Sequence, residues 1–252
     1  MSARTFAKFY STVVVAPREG RFAVLLDSKP ARTPGRAHLA LPTRRLADAI
    51  AREWDVQTER VDPAAMPLTR LANTAIDRMA SQRGAVIEHI LGFGRNDLLC
   101  YRVEAPPELV TRQAQAWDPL LHWMVEAHAV RLQVGHGVVF VEQPADVDDR
   151  LQEIVSARDD HALVCLDLVA SLTGSLVLAL ALADGHLAPS GVFAAAFLDE
   201  HFQAERWGRD EEAEARRSQI RCELETAERY LRLLQTNVES PEINDGVPTE
   251  SL

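Results

Sequence analysis

The chain has 252 residues, 47% of them hydrophobic and 25% charged, enough apolar material for a buried core and too much for a wholly disordered chain. Lysine and arginine number 27 against 37 acidic residues, a formal charge of −10, which argues against nucleic acid or an anionic membrane as the main partner. Cys100, Cys165 and Cys222 are too widely spaced for a disulfide framework or a C-x-x-C pair, so a reducing compartment is expected.

Met1 to Tyr10 lacks the apolar stretch of a secretory signal, and the chain is expected to begin its mature form here, in a cytoplasm. Tyr10 to Val15 and Phe22 to Leu26, separated by Pro17-Arg18-Glu19-Gly20, predict a hairpin. Two shorter extended pieces follow, punctuated by Asp27-Ser28-Lys29-Pro30 and Thr33-Pro34-Gly35. At Pro42 the period changes: Thr43 can cap a helix in which Leu46, Ile50 and Trp54 recur every four residues. Further helices are expected from Met66-Pro67, over Val86 to Leu91, Pro107 to His128, Val147 to Val155, His161 to Leu182, Gly191 to Trp207 and about Asp210 to Leu234. Val134 to Val141, rich in valine, is expected to be extended. Leu163 to Ala183 is apolar but interrupted by Asp167, Ser171, Thr173, Gly174 and Ser175, so it is read as a buried helix and not as a membrane span. The expected architecture is α+β: a small antiparallel β-rich domain over 1–42, a larger all-helical domain over 43–236 and a disordered tail over 237–252.

The chemistry-bearing motifs are few. No H-E-x-x-H, P-loop, dinucleotide fingerprint or G-x-S-x-G occurs, so no catalytic residue, metal, cofactor or nucleotide requirement is expected. One polar constellation stands out around Asp199 to Glu212, where Glu200, Gln203 and Trp207 fall within about a 60° arc of a helix. Asp210, Glu211 and Glu212 would open the next helix, where its dipole favours negative charge by roughly 0.3–1 kcal/mol each. Asp97, Tyr101 and Arg102 form a second cluster, in which Asp97 can cap and Arg102 can pair with it. Trp54, in Glu53-Trp54-Asp55-x-Gln57, is read as a core anchor.

Taken in order, these clusters, together with Met66-Pro67-Leu68-Thr69-Arg70-Leu71-Ala72-Asn73-Thr74-Ala75-Ile76-Asp77, Asp97-Leu98-Leu99-Cys100-Tyr101-Arg102, Gln115-x-Trp117-Asp118-Pro119 and Trp207-Gly208-x-Asp210-x-Glu212-Ala213, form a joint pattern from about Tyr10 to Tyr230. The pattern resembles the ATP synthase F(1)-complex assembly factor two family, chaperones of mitochondria and alphaproteobacteria that hold the alpha subunit of the catalytic head. The resemblance implies a non-enzymatic protein that masks the surface of the free alpha subunit destined for the beta subunit. It also implies a β-rich N-terminal and a helical C-terminal part, and a bacterial member acting in the cytoplasm, where eukaryotic relatives act in the mitochondrial matrix. The family's sensitive acidic position carries over to Glu212, with Glu211 as the alternative. The expected client-binding residues are Glu212, Glu211, Asp210, Trp207, Glu200 and Gln203, with Trp54, Asp97, Tyr101, Arg102 and Trp117 in secondary or structural roles. A competing reading is a small-molecule enzyme using Glu200, Asp210 and Arg102 as acid/base and anion-binding groups; it requires a closed polar pocket. A subunit of a structural oligomer would instead show a large apolar self-interface.

Overall fold

The computed structural model describes residues 5–137, 139–207 and 211–235. The N-terminal part holds β1 (Phe6–Ala7), β2 (Val13–Arg18), β3 (Arg21–Leu26), β4 (Lys29–Pro30) and β5 (Ala40–Leu41). β2 and β3 form the expected hairpin, in register from Val13 opposite Leu26 to Arg18 opposite Arg21. Its turn is shorter than the sequence suggests: Glu19 (φ 52°) and Gly20 (φ 74°) both take positive φ, the two-residue geometry whose twist matches the strands. Pro17 therefore lies within β2, at an edge of the β2-β3-β4 sheet where a missing N–H breaks no ladder. β5 also pairs with β3, and β1 pairs with β6 (Arg60–Val61).

Thr43 caps α1 (Arg44–Asp55) by accepting from Leu46 N at 3.2 Å. The helix packs on β2 and β3, and Leu46, Ala47, Ala49, Ile50 and Trp54 are buried. One continuous cluster of buried apolar residues runs from Tyr10 and Val24 through Leu46 and Ile90 to Leu231, so the β unit and the helices share a core across the secondary-structure boundary at Thr43. The tail expected over 237–252 lies outside the described residues.

Several helical boundaries differ from the sequence reading. The two helices expected over 67–91 are one, α2 (Pro67–Arg95), which buries Leu68, Leu71, Ala75, Met79, Val86 and Ile90 along its length. That continuous apolar face outweighs the cost of about 1 kcal/mol for each interior glycine. At Gly94 an added Cβ would lie 2.8 Å from Leu151 Cδ1, so the buried Leu151 side chain would have to shift. α3 (Pro107–His128) and α4 (Ala145–Ser156) follow as expected. The helix expected over 161–182 is split into α5 (Asp160–Thr173) and α6 (Leu176–Ala183). Gly174 takes φ 70° there, and the Ser175 hydroxyl accepts from Leu178 N, a helix stop followed by a helix start. The segment from Gly191 to Trp207 is likewise split, into α7 (Pro189–Ala196) and α8 (Leu198–Trp207), before α9 (Glu211–Leu234). Of the extended stretch expected over 134–141, only β8 (Gly135–His136) is paired, in parallel with β7 (Tyr101–Arg102). Among the described residues, no helix is long and apolar enough to cross a membrane.

Candidate functional site

Most of the acidic and aromatic residues that mark the sequence pattern turn out to be internal fasteners. Glu53, near the end of α1, accepts hydrogen bonds from Leu68 N and Thr69 N (both 2.8 Å) and from Thr69 Oγ1 (2.7 Å), so it satisfies the first amides of α2 from a distance. Burial pushes its carboxyl above the usual range against the pull of those donors. Gln57 bridges the carbonyl of Glu53 to the amide of Asp62, and Asp77 ties the Thr33–Gly35 turn to α2. Substituting Glu53 by alanine is expected to lower stability by about 2–3 kcal/mol, because buried donors are left unpaired. Urea denaturation checks this, and a loss within 0.5 kcal/mol, the ordinary range for a surface change, contradicts it.

Asp97 is fully buried and caps the 3-10 turn Leu98–Cys100, as its position suggested. Its other partners are Ser175 Oγ (2.7 Å) and Val177 N (3.0 Å), and it is not paired with Arg102. Arg102 is buried on the far side of that turn, donating to Leu99 O (2.8 Å), ion-paired to Asp118 (2.8 Å) and stacked 5.1 Å above the Trp117 ring. Trp117 is buried and donates to Ala195 O, while Tyr101 is half-buried with its hydroxyl 3.4 Å from Asn96 Oδ1. Trp54 packs edge-on against Tyr10, whose hydroxyl donates to the Trp54 carbonyl at 2.6 Å.

The expected contact residues that remain exposed lie along α8 and at the start of α9. Phe202 is the buried anchor of that helix, with the Arg206 and Arg112 guanidinium groups 4.2 and 5.1 Å from its ring. The same arginines form a ladder across α3 and α8: Arg112 to Glu108 (3.0 Å) and Glu205 (2.8 Å), and Arg206 to Glu108 (2.9 Å). Asp199 accepts twice from the buried Gln113 amide, pinning the start of α8 to α3. With the helix held on its inner side, Glu200 and Gln203 are exposed, and Trp207 is 79% exposed. Glu200 lies 4.0 Å from Arg217 of α9. Burial, followed by Arg217 and Arg221, holds the neighbouring His201 imidazole below its ordinary pKa. Glu212 is exposed in the first turn of α9; Glu211 opens that helix, its side chain lies outside the described residues, and so does Asp210.

Among the described residues, open clefts of about 600, 540, 330 and 200 Å³ lie elsewhere on the surface, and neither Glu200 nor Arg102 lines these. Arg102 is committed to Leu99, Asp118 and Trp117, so the acid/base reading loses its anion-binding group. Among the described residues no group of three or more His, Cys, Asp or Glu is arranged to hold a metal. Sequence reasoning missed the Phe202 sandwich and the exposed Phe6, Phe9, Val14 and Val56 of the N-terminal half. The arginines that build the sandwich are 94 positions apart in the chain, and only the contact of α3 with α8 brings them together.

Trp207 is thus a largely exposed tryptophan at the end of a helix whose first turn carries Asp199 and Glu200. Residues 7–125 match the family model described as ATP12 chaperone protein. The structure resembles that of Atp12 from Paracoccus denitrificans, and that of an aspartate-to-lysine mutant of the same protein; in both cases the identity is 43%, 91% of this chain and 98% of the other are covered, and the TM-score is 0.88. The mitochondrial protein atp12 of Schizosaccharomyces pombe is 23% identical over 221 residues, 83% of this chain and 76% of that protein. The chain belongs to the ATP12 chaperone family, whose members are assembly chaperones of ATP synthase.

Proposed function

We propose that this chaperone binds the unassembled alpha subunit of the ATP synthase catalytic head, and that Trp207 with the carboxylates of Glu200 and Glu212 forms part of the contact. The observation that carries the reading is Trp207, 79% exposed at the end of a helix anchored by the buried Phe202. An indole exposes an area whose desolvation supplies several kcal/mol, and aromatic anchors dominate protein interfaces. The carboxylates beside it orient a basic patch of the client. A free subunit of an oligomer exposes the apolar surface meant for its neighbour, and a holder that covers it prevents aggregation. In this reading the protein acts by binding alone, without catalysis, cofactor or nucleotide, in a bacterial cytoplasm. Asp210 and Glu211 belong to the same proposed contact on the strength of the sequence pattern.

The test is light scattering of purified alpha subunit diluted from denaturant. An equimolar amount of the chaperone should hold the subunit in solution without added nucleotide. Aggregation unaffected by the chaperone contradicts the proposal.

A further inference from the structure

A second surface, on the β unit, has the opposite charge. A cleft of about 600 Å³ opens between the segment preceding β2, the β4 strand and the end of α1. Its aromatic lining is Phe9, Tyr10 and Trp54, and its basic groups are Lys29, Arg32 and His38. Phe9 is 67% exposed and meets the Tyr10 ring edge-on at 5.4 Å, while Phe6 stacks on its other side at 6.3 Å. The one carboxylate in the lining, Asp27, is turned to Ser11 N, Thr12 N and Thr12 Oγ1. Those donors, with the charge of Lys29 nearby, hold it below the usual carboxylate range. Lys29, Arg32 and His38 form no ion pair among the described residues; Arg32 instead donates to the Arg36 carbonyl. On a chain of net charge −10, two permanent cations, Lys29 and Arg32, here face one carboxylate, Asp27, around an aromatic wall.

We infer that the cleft takes an acidic segment of a partner protein, bearing an apolar side chain that seats against Phe9 and flanking carboxylates that meet Lys29, Arg32 and His38. The argument is charge complementarity over an apolar floor: exposed aromatic area supplies affinity, and the basic rim selects and orients what enters. The rim opposes in sign the carboxylates around Trp207, so a client held at both places offers a basic patch to one and an acidic segment to the other, which fixes its orientation. Naming the partner as the client rests on the proposed function; the chemistry of the segment does not.

Fluorescence anisotropy of the full chain with three labelled peptides tests this. The first carries Leu-Phe flanked by glutamate and aspartate, the second replaces the acidic residues by lysine, and the third replaces Leu-Phe by Ser-Ser. The first peptide should bind at least about tenfold more tightly than the others. Arg32→Glu and Phe9→Ala, both at exposed positions, should each lose about tenfold with an unchanged melting temperature, and Trp207→Ala should bind as wild type. Equal binding of the three peptides overturns the inference, as does wild-type affinity in both cleft variants. Residues 236–252 are themselves acidic, with Glu239, Glu242, Asp245 and Glu250 and no lysine or arginine. A chain ending at residue 235 that bound the peptide tenfold more tightly would make this segment the occupant and overturn the assignment to a partner. A concentration-dependent dimer abolished by Phe9→Ala would assign the cleft to a second copy, with the same consequence. Peptide binding that persists while alpha-subunit binding fails would separate this inference from the proposed function.

Discussion

Replacing Asp97 by alanine is expected to lower stability by about 2–4 kcal/mol at pH 7, because it strands the donors of Leu99 N, Ser175 Oγ and Val177 N in the core. The carboxylate joins the end of α2, the 3-10 turn before β7 and the first turn of α6, so its loss loosens three elements together. Burial outweighs those donors and pushes the carboxyl up to about 6. A folded-state pKa above the unfolded value means that the folded protein binds this proton more tightly. The stability contributed by protonation is complete below pH 4 and is lost as pH rises to about 6. The gap between wild type and Asp97→Ala should therefore widen on acidification from pH 7 to pH 4, by on the order of 2–3 kcal/mol. Urea denaturation of both proteins at the two pH values checks the prediction, and a gap that narrows toward pH 4 contradicts it.

Trp207→Ala is expected to leave the fold intact and to weaken alpha-subunit binding by about 2–4 kcal/mol, roughly 30- to 1000-fold in Kd. A side chain 79% exposed contributes little to folding, so its melting temperature should match wild type. The two measurements separate a contact residue from a structural one. Phe202→Ala, which removes the buried anchor of the same helix, should lower both stability and binding. Calorimetric titration of the alpha subunit into each variant decides the matter: wild-type affinity in a folded Trp207→Ala protein removes this surface from the proposed contact.

The parts of the fold that could be read from sequence are those with a strong local signal. Thr43 before a four-residue apolar period marked α1, and a heptad-like stripe of Ala213, Ile220, Leu224, Ala227, Leu231 and Leu234 marked α9, where the middle four are buried and Ala213 and Leu234 are half-buried. The break between α5 and α6 escaped because Leu176 to Leu182 is apolar on every face and buried throughout, leaving no period to interrupt. The separate helices expected from Met66-Pro67 and over Val86 to Leu91 are joined by a buried face that continues along α2. The limit was sharper for the site. Spacing could place Glu200, Gln203 and Trp207 on one face of α8, and all three are exposed there. It could not show that Glu53, Asp97 and Asp199 bind partners 15 to 86 positions away, because hydrogen bonds across the core leave no periodic trace. The cleft at Phe9 was illegible for the same reason, its walls coming from four separate stretches of chain.

A chaperone that covers the alpha-subunit surface destined for the beta subunit, as proposed, must compete with the beta subunit for it. Size-exclusion chromatography with light scattering, applied to a preformed complex of chaperone and alpha subunit titrated with beta subunit, tests it most directly. The beta subunit is expected to displace the chaperone, which elutes free as alpha–beta complexes form. A stable ternary complex of all three proteins would contradict it.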